Sequence, residues 1–162
     1  MHYSKDGKQI AQMADEIAIA FELVNSLDDA QKKKTVLAER FTDMALGPGR
    51  DDVRPKSEGI SANDLTALQA ILLKRLISER VGLLNDEDAK VRLEAIDTQL
   101  PEIHFSWRGP LKPGSSVYYR VQGPTFFLEY APQQMGGDPN EHVHAMYREF
   151  ANDYGEQWLK AK

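Results

Sequence analysis

A chain of 162 residues, 28% charged and 41% hydrophobic, is long enough for one soluble domain with a sizeable buried core. Its formal net charge of −5 at pH 7 argues against nucleic acid or an anionic membrane as the main partner. The absence of cysteine excludes disulfides, thiolate nucleophiles and cysteine-bound zinc or iron–sulfur sites. No apolar run approaches the ~20 residues that span a bilayer. The N-terminus shows no signal-peptide pattern, so we expect a cytoplasmic protein unless a signal peptide was removed, which would make it periplasmic or secreted.

The first part of the chain has the apolar periodicity of helices. Apolar residues at helical spacing predict a first helix over residues 8–25. Ser26, with Asp29 three positions later, resembles a capping box. We therefore expect a second helix to begin at Leu27 and to continue as far as Phe41.

A long loop separates these helices from two more. Residues 45–60 contain glycines, prolines and charges, which predicts a loop. Ser61 is the expected cap of a strongly periodic third helix that ends near Val81. Asn85 is the expected cap of the fourth helix, and Pro101 ends the helical part.

The remaining chain is predicted to form strands and one last helix. Residues 103–108 alternate apolar and polar side chains, as a half-buried strand does. Residues 117–122 and 125–130 predict a hairpin around Gly123-Pro124, with a loop of two residues or wider. A last helix is expected from about His142 to Leu159.

These elements predict an α+β fold, with N-terminal helices packed on a small antiparallel sheet and a C-terminal helix closing it. We expect a single domain over residues 1–162. Its helical part covers residues 1–100, and the sheet with the last helix covers residues 101–162.

One face of the predicted sheet is unusually polar. Period two places the following side chains on it: His104, Tyr118, Arg120, Gln122 and Glu129. In one interpretation this face is solvated and carries a surface Arg120–Glu129 pair worth about 0–1 kcal/mol. In the other, the last helix or its loop covers the face and encloses a polar pocket, where these residues converge with His142 and His144.

Two of the four histidines form a His-x-His motif at His142 and His144. In an extended segment the two side chains point the same way and can chelate one metal, whereas on a helix they diverge by about 160°. Neutral imidazole suits copper or zinc, and we expect His104 or Glu129 as the third ligand. The alternatives are structural histidines, which cap or pack, and a metal-free role in proton transfer.

A second hypothesis is a metal-free site for a small anionic ligand. Here Arg120 and Arg148 fix the anion, Tyr118 and Gln122 contact it, and a histidine moves protons. The structural alternative for Arg148 is a salt bridge, with Asp153 among the candidate partners. A third hypothesis is an interaction module that forms a homo-oligomer through its aromatic hairpin. No catalytic motif assigns an enzymatic activity.

Several segments together resemble the bacterial family catalogued as domain of unknown function 3500. They are SLDDAQ at 26–31, HFSWRG at 104–109, YYRVQGPTF at 118–126 with EY at 129–130, HVH at 142–144 with Arg148, and DYG at 153–155. The resemblance covers nearly the whole chain and implies no activity. Members are typically longer and often exported, so the chain is expected to correspond to a C-terminal half or to a short member.

Overall fold

The computed structural model describes residues 2–11, 13–39, 43–50, 53–133, 137–155 and 159. Its four α-helices in these ranges are α1 (Ala14–Ser26), α2 (Asp29–Thr35), α3 (Ala67–Val81) and α4 (Asp86–Thr98). Its strands are β1 (His2–Lys5), β2 (Lys8–Ala11), β3 (Ile60–Ser61), β4 (His104–Arg108), β5 (Tyr118–Gln122), β6 (Phe126–Pro132) and β7 (Val143–Glu149). The predicted α+β class is confirmed.

The first predicted helix begins later than expected. Residues 8–11 form β2, which pairs antiparallel with β1. Asp6 and Gly7 have φ values of 52° and 75°, so the chain reverses there and leaves residues 8–11 extended. Helix periodicity starts only after Met13.

Local capping chemistry decides where α2 and α3 begin. Asp28, and not Ser26, caps α2, because its side chain accepts from the Gln31 amide in a complete capping box. Thr66 caps α3 in the same way, while Ser61 caps a short 3₁₀ turn. The predicted cap of α4 at Asn85 is confirmed.

The second predicted helix is also shorter than expected. It ends at Thr35, because Val36 forms a parallel bridge with Trp107 and the Leu37 amide donates to the Trp107 carbonyl at 2.9 Å. Pairing with the edge of the sheet therefore replaces the next helical turn. Phe41 lies outside the described residues.

Five strands form one antiparallel sheet in the order β3-β4-β5-β6-β7. The register places Arg120 opposite both Ser106 and Glu129. Gln122 pairs with Phe127, so the hairpin connection is wider than two residues. It is this register that brings the charged residues of three strands onto one face.

The predicted closing helix is wrong over Val143–Glu149, which form β7 against β6. Val143, Ala145 and Tyr147 pack against the main core, and the residues between them lie on the opposite face. This alternation is a strand pattern, and pairing along seven residues of β6 fixes it. Residues 156–158 of the predicted helix lie outside the described residues.

The apolar face of the sheet packs on the helices and forms the main core. Trp107 is fully buried and meets Phe21 of α1 edge-on, with ring centroids 4.9 Å apart. The core also contains a carboxylate, that of Glu16 on α1, which accepts hydrogen bonds from Tyr119 and Arg80. None of the helices in the described ranges has both the length and the apolar character needed to cross a bilayer.

Candidate functional site

The polar sheet face is buried under a loop rather than solvated. We define this face by the β4–β6 side chains opposite the main core together with Arg148 of β7, and the covering loop as residues 43–50 and 53–58. Glu129 is fully buried and lies against this loop. Its carboxylate accepts from the amides of Ala45 and Leu46, at 2.7 and 3.0 Å, and from the Tyr118 hydroxyl at 2.8 Å. Glu129 thus anchors the loop.

Two arginines of the polar sheet face share one carboxylate of the covering loop. Arg108 donates to Glu58 Oε2 at 2.6 Å, and Arg120 donates to the same oxygen. Both arginine side chains are nearly fully buried, and that of Glu58 is 39% exposed. Burial acts to raise the pKa of Glu58, but the hydrogen bonds and charges of the two arginines outweigh it and lower that pKa.

The other predicted anion-binding residues also bond within the protein. Arg148 is ion-paired with Asp153 and donates to the Leu46 carbonyl at 3.3 Å. Gln122 donates to the Pro55 carbonyl at 2.7 Å. The pKa of the Tyr118 phenol is raised by its burial and then by Glu129, so it stays a neutral donor. These bonds tie the predicted ligand-binding residues to the fold.

His142 and His144 come together at the outer strand. His144 lies on β7, and His142 precedes the strand with extended backbone angles, φ −128° and ψ 100°. Their Nε2 atoms are 3.0 Å apart, with ring centroids separated by 5.0 Å. His142 is exposed, and the side chain of His144 is 43% exposed. The segment therefore has the extended geometry that a His-x-His chelate requires.

The structure does not bring the other two predicted metal ligands to this pair. His104 lies on β4, three strands away or about 14 Å at usual strand spacing, and its Nδ1 is 3.0 Å from the Glu102 carbonyl. Glu129 is buried and already bonded, as described above. Among the described residues, no group of three or more His, Cys, Asp or Glu side chains is arranged to hold a metal ion.

His142 also lines a large cleft, which the sequence did not predict. It has a volume of about 970 Å³ and lies between α1, residues 113–115 and residues 138–143. Ile17, Phe21 and Tyr130 are among its apolar wall residues. The available signal was the pair of small residues Ala14 and Ala18, which leave one side of α1 open beside the Pro113-Gly114 turn.

Neither a curated protein nor a solved structure matches this chain. One family model matches residues 2–156, and its description is "Protein of unknown function (DUF3500)". The match spans nearly the whole chain, and the expected correspondence to the C-terminal half of longer members stays a prediction. The match carries no activity with it. By this match, and with the sequence segments that first suggested it, the chain belongs to the DUF3500 family.

Proposed function

We propose that this domain binds a divalent transition metal ion through His142 and His144, and that copper(II) is preferred over zinc. The observation that carries the proposal is the 3.0 Å separation of the two Nε2 atoms on accessible side chains. In the metal-free protein this contact is a hydrogen bond between the two rings. A metal would replace the shared proton.

The separation favours one coordination geometry over another. With metal–nitrogen distances of about 2.0–2.1 Å, two nitrogens 3.0 Å apart subtend about 91–97° at the metal. A tetrahedral zinc site would hold them about 3.4 Å apart. Right-angled nitrogen pairs are typical of tetragonal copper(II).

A carboxylate lies on the far side of one ring. Asp43 Oδ1 is 3.9 Å from Nδ1 of His144, too far for a direct hydrogen bond and suitable for a bridging water. Metal-ligating histidines usually pair their second nitrogen with a carboxylate, carbonyl or water, which orients the ring. Asp43 thus supports Nε2 of His144 as the metal-binding atom.

Two histidines are an incomplete ligand set. Water or a donor from outside the chain would occupy the remaining coordination positions. An open set of this kind suits metal transfer or metal-assisted chemistry more than a closed structural site. The adjacent cleft gives such a donor room to approach.

Copper(II) titration of metal-free protein, followed by calorimetry and electron paramagnetic resonance, tests the proposal. We expect one equivalent to bind, with nitrogen hyperfine structure from two imidazoles. The His142→Ala/His144→Ala variant should lose at least tenfold in affinity. Zinc should bind more weakly than copper(II) at the same site.

The other two histidines supply matched controls. His104→Ala and His2→Ala each remove one imidazole elsewhere in the chain and should retain the stoichiometry and the affinity. Binding no tighter than about 10 μM, equivalent to roughly −7 kcal/mol, would overturn the proposal. So would tight binding that survives in the His142→Ala/His144→Ala variant.

The anion-binding and self-association hypotheses have less support. Arg120 and Arg148 each face an internal carboxylate and lie under the covering loop, so an anion would have to displace Glu58 or Asp153. The aromatic hairpin is buried in the domain rather than presented on its surface. Homo-oligomer formation stays a prediction.

A further inference from the structure

The cleft beside α1 has the size and the wall composition of a small-molecule site. Its volume of about 970 Å³ lies at the upper end of the ~300–1,000 Å³ typical of ligand pockets. Phe21 and Tyr130 are nearly buried at its base, while Ala14 and Ala18 line its open side. Apolar walls with a few polar groups at the edge can bury the body of an organic ligand.

The charges around the cleft are of one sign. Three carboxylates line it, from Glu22 of α1 and from Asp138 and Glu141 at the opposite edge. Of the lining residues that the structure describes, none is Lys or Arg, and His142 is the one basic side chain. An anionic ligand would meet repulsion here, and a cationic one would be attracted.

We propose that this cleft binds a small organic amine, an apolar or aromatic body that carries a protonated ammonium group. The body packs between α1 and residues 113–115, against Ile17, Phe21 and Tyr130. The ammonium group lies at the edge formed by Asp138 and Glu141, where carboxylate oxygens accept its hydrogen bonds, and Glu22 on the α1 side adds to the negative potential of the cleft. Aromatic rings in the wall are compatible with the cation.

Tyr130, one of the residues of the apolar wall, also carries a hydroxyl group. Burial raises the pKa of this phenol to about 12, with the nearby Glu16 carboxylate acting in the same direction. The phenol is therefore neutral at physiological pH. Its oxygen can accept a hydrogen bond from a ligand without adding charge to the cleft.

Three probes that share one apolar body and differ in the charge of the end group separate the contribution of charge to binding from that of apolar contact. Metal-free protein is titrated with 4-phenylbutylamine, 4-phenylbutanol and 4-phenylbutyric acid at pH 7, by calorimetry and by NMR chemical shifts. The amine should bind at least tenfold more tightly than the acid, with the alcohol between them. Equal binding of the amine and the acid, or tighter binding of the acid, would overturn the proposal.

Substitutions locate the site. Ala18→Trp fills the cleft from an exposed position on α1 and should abolish amine binding with little change in stability. Ala30→Trp places the same side chain on an exposed position of α2, away from the cleft, and should leave binding intact. Glu22→Gln and Glu141→Gln should each lower the affinity for 4-phenylbutylamine several-fold. Neither should change the affinity for 4-phenylbutanol. Unchanged amine affinity in Ala18→Trp would overturn the assignment.

The proposal does not depend on metal binding. The His144→Ala variant, whose altered side chain does not line the cleft, should still bind 4-phenylbutylamine when its copper(II) affinity is lost. Sedimentation of wild type and Ala18→Trp tests a second copy as the occupant. A dimer that dissociates only in Ala18→Trp, without any amine binding, would assign the cleft to self-association and overturn the proposal.

Discussion

The polar sheet face and the His142–His144 pair differ in what their polar atoms bond to. On the polar sheet face, Glu129 meets two backbone amides and a phenol, and Arg120 meets Glu58 under the covering loop. The two histidines are accessible, and their Nε2 atoms face each other. Buried polar groups that have partners stabilise a structure, whereas accessible groups that converge are available to a ligand. The polar side chains of the sheet face therefore hold the covering loop, whereas the two imidazoles stay accessible.

Replacing Glu129 should give the largest effect on stability. Glu129→Ala leaves two backbone amides and the Tyr118 hydroxyl without their acceptor in a buried environment. Each such group costs about 1–3 kcal/mol, so we expect a loss of about 4 kcal/mol in the free energy of unfolding. Urea denaturation measures it. Glu141→Ala, an exposed glutamate, is the matched control and should change stability by less than about 0.5 kcal/mol.

The same variant tests the separation of the two regions. If Glu129 only anchors the covering loop, folded Glu129→Ala protein should bind copper(II) as wild type does. A tenfold loss of copper(II) affinity in folded Glu129→Ala protein would show that Glu129 contributes to metal binding. A loss of stability under 1 kcal/mol would show that it does not anchor the loop.

A smaller, pH-dependent effect is expected at Glu58. Its pKa in the folded protein is lowered from the ordinary 4.5, so its stabilising contribution is present above that pH and is lost as pH falls through the folded value. Glu58→Gln should cost about 1–2 kcal/mol at pH 7, with allowance for the partial exposure of this side chain. The difference from wild type should shrink by pH 3. Urea denaturation of both proteins at pH 7 and pH 3 measures this difference in the free energy of unfolding.

The exposed Glu94 of α4 supplies the control for that measurement. Glu94→Gln should differ little from wild type at either pH. A Glu58→Gln difference that is the same at pH 7 and pH 3 would mean that ionised Glu58 does not hold Arg108 and Arg120.

Local patterns in the sequence predicted the α+β class and most of the elements that form the sheet. The alternation over residues 103–108 and the cap at Asn85 depend on near neighbours, and both were confirmed. The last strand was not predicted, and residues 143–149 were instead placed in a helix. Pairing with β6 makes this segment a strand, and such pairing is a long-range interaction that local periodicity does not show.

The site was harder to predict for the same reason. Sequence spacing placed Arg120 and Glu129 on one face correctly. Their true partners, Glu58 and the amides of Ala45 and Leu46, come from more than 60 residues earlier in the chain. The histidine motif was visible in the sequence, but its extended geometry was not, because a helix is predicted from about His142. Pairing of this segment with residues 131–133 holds it extended.

Removing the histidine pair should have the smallest effect on stability. His142 and His144 are accessible, and the contact between them is one hydrogen bond at the surface. The metal-free His142→Ala/His144→Ala variant should therefore unfold within about 0.5 kcal/mol of wild type. Urea denaturation in the presence of a chelator measures this. A loss above about 1 kcal/mol would make the pair a structural contact, whereas equal stability with lost copper(II) binding separates ligand binding from folding.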